Sequence, residues 1–212
     1  MIEINKNIDK AEIAELEPVL FGGRIITVLS ASEAEKAVNW LETQDEVGID
    51  TETRPSFAKG RVNKVALLQV STRDTCFLFR LNMIGLTPAI IRFLQAEKPL
   101  KIGLSLKDDF SRLKQIGNFN PEGYVELQNY VSKMGIEAMS LQKIYALLFG
   151  RKISKSQRLS NWEADVLSDA QKAYAATDAW ACINIYDKLE ALRQSGDYKI
   201  TENPASELPE DK

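Results

Sequence analysis

The chain has 212 residues, 44% hydrophobic and 27% charged, with a formal net charge of −3. That is enough for one substantial domain with its own core, and the composition is that of a globular protein, not a disordered one. Histidine is absent, which excludes Ser-His-Asp and Cys-His catalysis, histidine-ligated zinc and histidine general bases. The charge is uneven. Residues 1–17 and 201–212 are each net −3, which leaves a body of about +3 over 18–200, compatible with a polyanionic substrate. Cys76 and Cys182 lie in apolar stretches with no CxxC spacing and read as buried thiols of a reducing compartment. With no basic-then-apolar leader and no apolar run near the roughly 20 residues that span a bilayer, the expectation is a soluble, cytoplasmic chain without a membrane partner.

In chain order, the first 17 residues read as a short, weakly anchored helix within an N-terminal extension over 1–23. Arg24 to Leu29 is a β-branched run that predicts a strand. Ser32 with Glu35 makes a capping box opening a helix to about Thr43. Val47 to Glu52 is the next strand, broken by Arg54-Pro55. Val65 to Ser71 and Cys76 to Leu81 form a hairpin turning at Arg73-Asp74. Pro88 starts a helix to about Ala96, and Leu100 to Leu104 is a short strand feeding a helix over Lys107 to Gln115. Val125-Glu126-Leu127 is one more short strand. Ser140 opens a helix ending at Phe149, stopped by Gly150. Ser168 with Gln171 caps a long helix to about Arg193, stopped by Ser195-Gly196. The main domain is expected over 24–196, with 197–212 a disordered acidic tail. Strands first and helices later imply an α/β architecture, a mixed sheet covered by helices in one domain.

Asp50 and Glu52 close an apolar strand one residue apart, so both carboxylates project from the same face. Crowded carboxylates repel unless one is protonated or a cation sits between them, and Mg²⁺ and Mn²⁺ favour such oxygen donors. The pair points to a divalent-metal site for phosphoryl transfer, although alone it also fits a helix cap, a solvated edge or an ion pair. Tyr174 and Asp178 share a helical face at i, i+4, and an acid amid Ala, Trp and Ile needs a partner or a metal. Asp109, in Gly103-Leu-Ser-Leu-Lys-Asp-Asp-Phe-Ser-Arg-Leu113, also suits a helix N-terminus.

Taken together, an apolar strand ending in Asp-x-Glu, a glycine-led Asp-hydrophobic-x-x-Leu segment and Tyr-x-x-x-Asp on a late helix resemble the DEDD superfamily of 3′→5′ exonucleases. The likeness is to the tyrosine-containing branch with the Werner-type exonuclease domain and ribonuclease D, and it covers roughly 24–193. Val65-Ala-Leu-Leu-Gln-Val70, Leu141 to Gly150, Ser160-Asn-Trp162 and Tyr174-Ala-Ala-Thr-Asp-Ala-Trp180 extend it. The resemblance implies a ribonuclease H-like fold and hydrolysis at the 3′ end of DNA or RNA with two divalent ions, Mg²⁺ or Mn²⁺. By the same resemblance Asp50 bridges both ions, Glu52 and Asp178 complete the first and Asp109 serves the second. Tyr174 hydrogen-bonds the attacking water and the scissile phosphate. Asp108 is the alternative to Asp109. Where relatives carry an Asp after Val125-Glu-Leu127, this chain has Gln128 and Asn129. Arg151, Lys152, Lys155 and Arg158 before the last helix, and Arg54 and Phe57 after the first acids, are candidate substrate contacts. A solvated basic loop and an anchoring loop aromatic explain them equally well. The rival functions are a nucleic-acid-binding module without useful catalysis and a ribonuclease D-like trimmer of RNA 3′ ends.

Overall fold

In the computed structural model, residues 1–56 and 63–202 are described. Chain order runs β1 (Ile2–Asn5), α1 (Lys10–Glu15), β2 (Pro18–Val19), β3 (Arg24–Val28), α2 (Ala31–Leu41), β4 (Glu46–Thr53), β5 (Val65–Ser71) and β6 (Thr75–Phe79). It continues α3 (Leu81–Ile84), α4 (Pro88–Gln95), β7 (Leu100–Gly103), α5 (Leu106–Leu113), β8 (Tyr124–Glu126), α6 (Leu127–Lys133), α7 (Leu141–Phe149), β9 (Lys152–Ile153), α8 (Asp169–Ser195) and β10 (Tyr198–Thr201). Six strands form a mixed sheet in the order β3-β6-β5-β4-β7-β8. The meander β4-β5-β6 is antiparallel, while β3, β7 and β8 join parallel to β6, β4 and β7. This is the expected α/β, ribonuclease H-like mixed sheet flanked by helices. Among the described residues no helix is long and apolar enough to cross a membrane.

Alternation along β4 divides the molecule. Val47 and Ile49 point into a core built with α2, α4 and α5, where Val38, Leu41, Ile90, Phe93, Leu106 and Leu113 are buried. Gly48, Asp50 and Glu52 point the other way, toward α8. The glycine is what lets α8 come so close: a Cβ on residue 48 would stand 1.9 Å from the Ala179 carbonyl oxygen. Ser168 caps α8 with its hydroxyl on Gln171 N (3.2 Å), as the sequence predicts.

Several local expectations change. The box that opens α2 is Ser30 with Glu33, two residues earlier than Ser32 with Glu35. Glu35 instead pairs with Arg92 across to α4. The N-terminal segment is not a lone helix. Ile2 to Asn5 pair in parallel with Tyr198 to Thr201, and Ile4 is buried against the second core. Phe21 is buried, and its N–H donates to Thr177 Oγ1 on α8 at 3.0 Å. Residues 1–23 therefore pack as part of the domain, and the expected end at 196 moves past β10. A partner strand almost 200 residues away decides both, which local propensity does not register. Residues 203–212 of the expected tail lie outside the described residues. Leu127, expected in a strand, opens α6.

Candidate active site

Donor oxygens of Asp50, Glu52 and Asp178 lie within 4.8 Å of one another. The alternation of β4 supplies the first two, and the approach of α8 at Gly48 brings the third. Asp178 is 7% exposed and Tyr174, one turn earlier, 9%. The phenol and the Asp178 carboxylate lie close enough that the phenol lowers the acid and the acid raises the phenol. Asp109 comes from α5, whose start is unusual. Ser105 sits in the left-handed region (φ 63°) and caps with no side-chain bond. Glu126 takes over that role, its carboxylate accepting from Ser105 N at 2.9 Å and Leu106 N at 2.7 Å. Asp109 then turns inward and accepts from Thr51 Oγ1 at 2.5 Å, while Asp108 is exposed. Asp109, not Asp108, faces the acids.

The electrostatics follow from this crowding. Burial, then Asp109, Asp178 and Glu52, hold the Asp50 carboxyl well above the usual carboxylate range. Burial and the neighbouring Asp178 and Asp109 push Glu52 up to about 9, with Arg158 pulling the other way. Asp178 is pushed by burial to about 7 against the Tyr174 hydrogen bond. Asp109 is pushed by burial to about 6 against the Thr51 hydrogen bond. Burial and the acids also raise the Tyr174 phenol, which stays protonated. Four acids that resist joint ionisation, with oxygen the only donor type, fit a hard divalent cation.

Beside the acids is a cavity of about 240 Å³ lined by Ser140, Leu141, Gln142, Ile153, Ser154, Lys155, Arg158, Tyr174 and Asp178. It separates the basic-loop candidates. Lys155 and Arg158 line it. Arg151 donates to Pro18 O at 2.9 Å and Lys152 to Ala14 O, so both tie β9 to the N-terminal segment. Arg54 does not line the cavity and pairs with Glu163 at 3.2 Å. Phe57 lies outside the described residues. Trp162 is fully buried, its ring centroid 6.0 Å from that of Tyr174, so it belongs to the core. A larger groove of about 700 Å³, lined by Lys64, Asn82 and Gln115 among others, contains none of the four acids.

The sequence reading passed over three supporting residues. Thr51 and Glu126 position α5 and its acid. Arg80, 1% exposed, donates to the carbonyls of Ala164 and Asp165 ahead of α8. An arginine closing the apolar run Cys76-Phe-Leu-Phe79 was the available signal for the last.

Comparison with known proteins identifies the family and the fold. The chain is 29% identical over 213 residues to the mouse bifunctional 3′-5′ exonuclease/ATP-dependent helicase WRN, covering 95% of this chain and 15% of that protein. It is 29% identical over 188 residues to an Arabidopsis thaliana 3′-5′ exonuclease, covering 81% of this chain and 65% of the relative. Among solved structures, the Aedes aegypti Nibbler EXO domain superposes with a TM-score of 0.74 at 22% identity, over 83% of this chain and 91% of that one. Escherichia coli RNase D gives 0.72 at 16% identity, over 82% and 46%. At those identities the two structures speak for the fold. The profile described as 3′-5′ exonuclease matches residues 25–193, a span holding all four acids and Tyr174, and by that match the chain belongs to the 3′-5′ exonuclease family.

Proposed function

We propose that this chain hydrolyses phosphodiester bonds at the 3′ end of a nucleic acid, DNA or RNA, releasing nucleoside 5′-monophosphates with the help of two Mg²⁺ or Mn²⁺ ions. The observation that carries the reading is the convergence of Asp50, Glu52 and Asp178 within 4.8 Å, with Asp178 lining a cavity that Lys155 and Arg158 also line. Asp50 would be shared between the ions, Glu52 and Asp178 would complete one shell, and Asp109 would serve the other. Two such ions supply charge that stabilises the entering and leaving oxygens of an in-line displacement. Tyr174 orients the attacking water through its hydroxyl; a phenol raised by burial and acids is a donor, not a base. Lys155 and Arg158 hold the phosphate on the cavity side. No histidine is needed.

The test is a panel of 5′-labelled single-stranded DNA, recessed duplex and RNA incubated with Mg²⁺, Mn²⁺ or EDTA. The expected result is a ladder shortening from the 3′ end that EDTA abolishes. Asp50→Asn should lose the ladder, a drop on the order of 10³-fold, and Tyr174→Phe should slow it. Internal fragments would point to an endonuclease, and tight binding without cleavage in either metal to a binding module.

A further inference from the structure

The middle residue of Asp50-Thr51-Glu52 is more than a spacer. Because side chains alternate along β4, Thr51 faces away from α8, into the row that holds Val47 and Ile49. Its partner across the antiparallel ladder is Leu68, fully buried. Thr51 itself is half-buried, and there valine would match threonine in shape without placing a hydroxyl beside the core. The hydroxyl has a specific partner, Asp109 Oδ1 at 2.5 Å, 58 residues away on α5. Thr53, which pairs with Val65 beyond a register shift in the β4–β5 ladder, is a built-in contrast, for among the described residues its buried hydroxyl has no hydrogen-bond partner.

From this we infer that Thr51 is a positioning residue that latches Asp109 to the strand bearing Asp50 and Glu52, so that the second cation meets a preset carboxylate. The inference rests on the two-metal reading above. One oxygen of Asp109 is committed to the latch and the other is left for ligation. Without the hydroxyl, the acid on α5 must be ordered when the cation binds. The loss therefore falls on the site Asp109 serves and spares the one formed by Asp50, Glu52 and Asp178. Residues that orient metal ligands in this way are worth about 10–100-fold in metal affinity.

The test is calorimetric titration of the full chain with Mn²⁺ for wild type, Thr51→Val, Thr51→Ser and Thr53→Val. Exonuclease rates are measured in parallel against Mn²⁺ and against oligonucleotide. Wild type should take up two ions. Thr51→Val should keep the tighter event and weaken the other about tenfold or more. The manganese needed for half-maximal rate should rise equally, with the oligonucleotide KM within about twofold. Thr51→Ser, which keeps the donor, should restore both readouts, and Thr53→Val should match wild type throughout. Two wild-type-like binding events in Thr51→Val would overturn the latch and leave the exonuclease reading standing. A wild-type chain that binds no manganese would overturn the metal reading and the latch together.

Discussion

The two faces of β4 are one residue apart in sequence and opposite in physical character. Toward α2, α4 and α5 the strand presents Val47 and Ile49 to a hydrocarbon core of the kind that supplies most folding free energy. Toward α8 it presents Gly48, Asp50 and Glu52. Directly opposite Asp50 on β5 lies Gln69, fully buried, with both amide atoms unpartnered among the described residues. The second face holds groups that are expensive to bury and a glycine where a side chain would add packing. One face stabilises the strand; the other uses that stability to hold acids close together. Substitutions on the core face should therefore cost stability and spare activity, whereas substitutions on the α8 face should cost activity.

The sharpest way to break the contrast is at Gly48. Gly48→Ala puts a Cβ against the Ala179 carbonyl, and backbone cannot rotate aside as a side chain can. The expected outcome is a loss of about 1–3 kcal/mol or more, read as a fall in Tm of several degrees. Manganese uptake should be lost too, because Asp178 rides on the displaced helix. On the other face Ile49→Val should cost about 0.5–1.5 kcal/mol and leave manganese uptake and rate unchanged. If Gly48→Ala behaves like Ile49→Val, α8 is not what completes the cluster.

The second test uses pH. In EDTA, Asp109, Asp178 and Glu52 keep their protons in the folded chain up to about 6, 7 and 9, whereas unfolded carboxyls ionise near about 4. Over that interval the folded state binds more protons, so stability falls as pH rises. The penalty is absent below about pH 4 and grows through about pH 9 as these three acids ionise. Metal-free Tm should decline steadily between pH 5 and 9, and Asp50→Asn should decline less and melt higher at pH 8. Saturating Mn²⁺ should flatten the decline, since the cation takes the place of the protons. A metal-free Tm independent of pH would mean the acids are solvated and the buried cluster is wrong.

This division explains what could be read from the sequence. Patterns confined to one element were readable: the end of β4, the Ser168-Gln171 cap and the i, i+4 placement of Tyr174 and Asp178 all follow from local periodicity. Choices between overlapping local signals were not. Ser30-Ala-Ser-Glu33-Ala-Glu35 contains two capping boxes, and burial of Ala34, Ala37, Val38 and Leu41 against the sheet selects the earlier one. Long-range pairings were hidden as well. Ile2 to Asn5 become a strand through Tyr198 to Thr201, and the basic loop divides because β9 pairs with β2. The Thr51–Asp109 bond joins β4 to α5 through a residue that any strand-propensity argument accepts without comment.

The smallest effects distinguish the faces by their cations. Arg92, on the α2–α4 side, reaches Glu35 at 3.1 Å and Glu42 at 2.9 Å, both partly solvated. Such exposed pairs contribute about 0–1 kcal/mol, so Arg92→Ala should lower Tm by no more than a few degrees and leave the rate alone. Arg158 lines the acid-side cavity and offsets the charge of Glu52. Arg158→Ala should leave Tm nearly unchanged and raise the oligonucleotide KM by roughly tenfold, the worth of one charge-assisted phosphate contact. The salt dependence of binding should weaken too, its log–log slope falling by about 0.7 for a single-stranded substrate. If the KM stays unchanged while Tm drops, Arg158 serves the fold as Arg92 does, and the phosphate must be held from another side of the cavity.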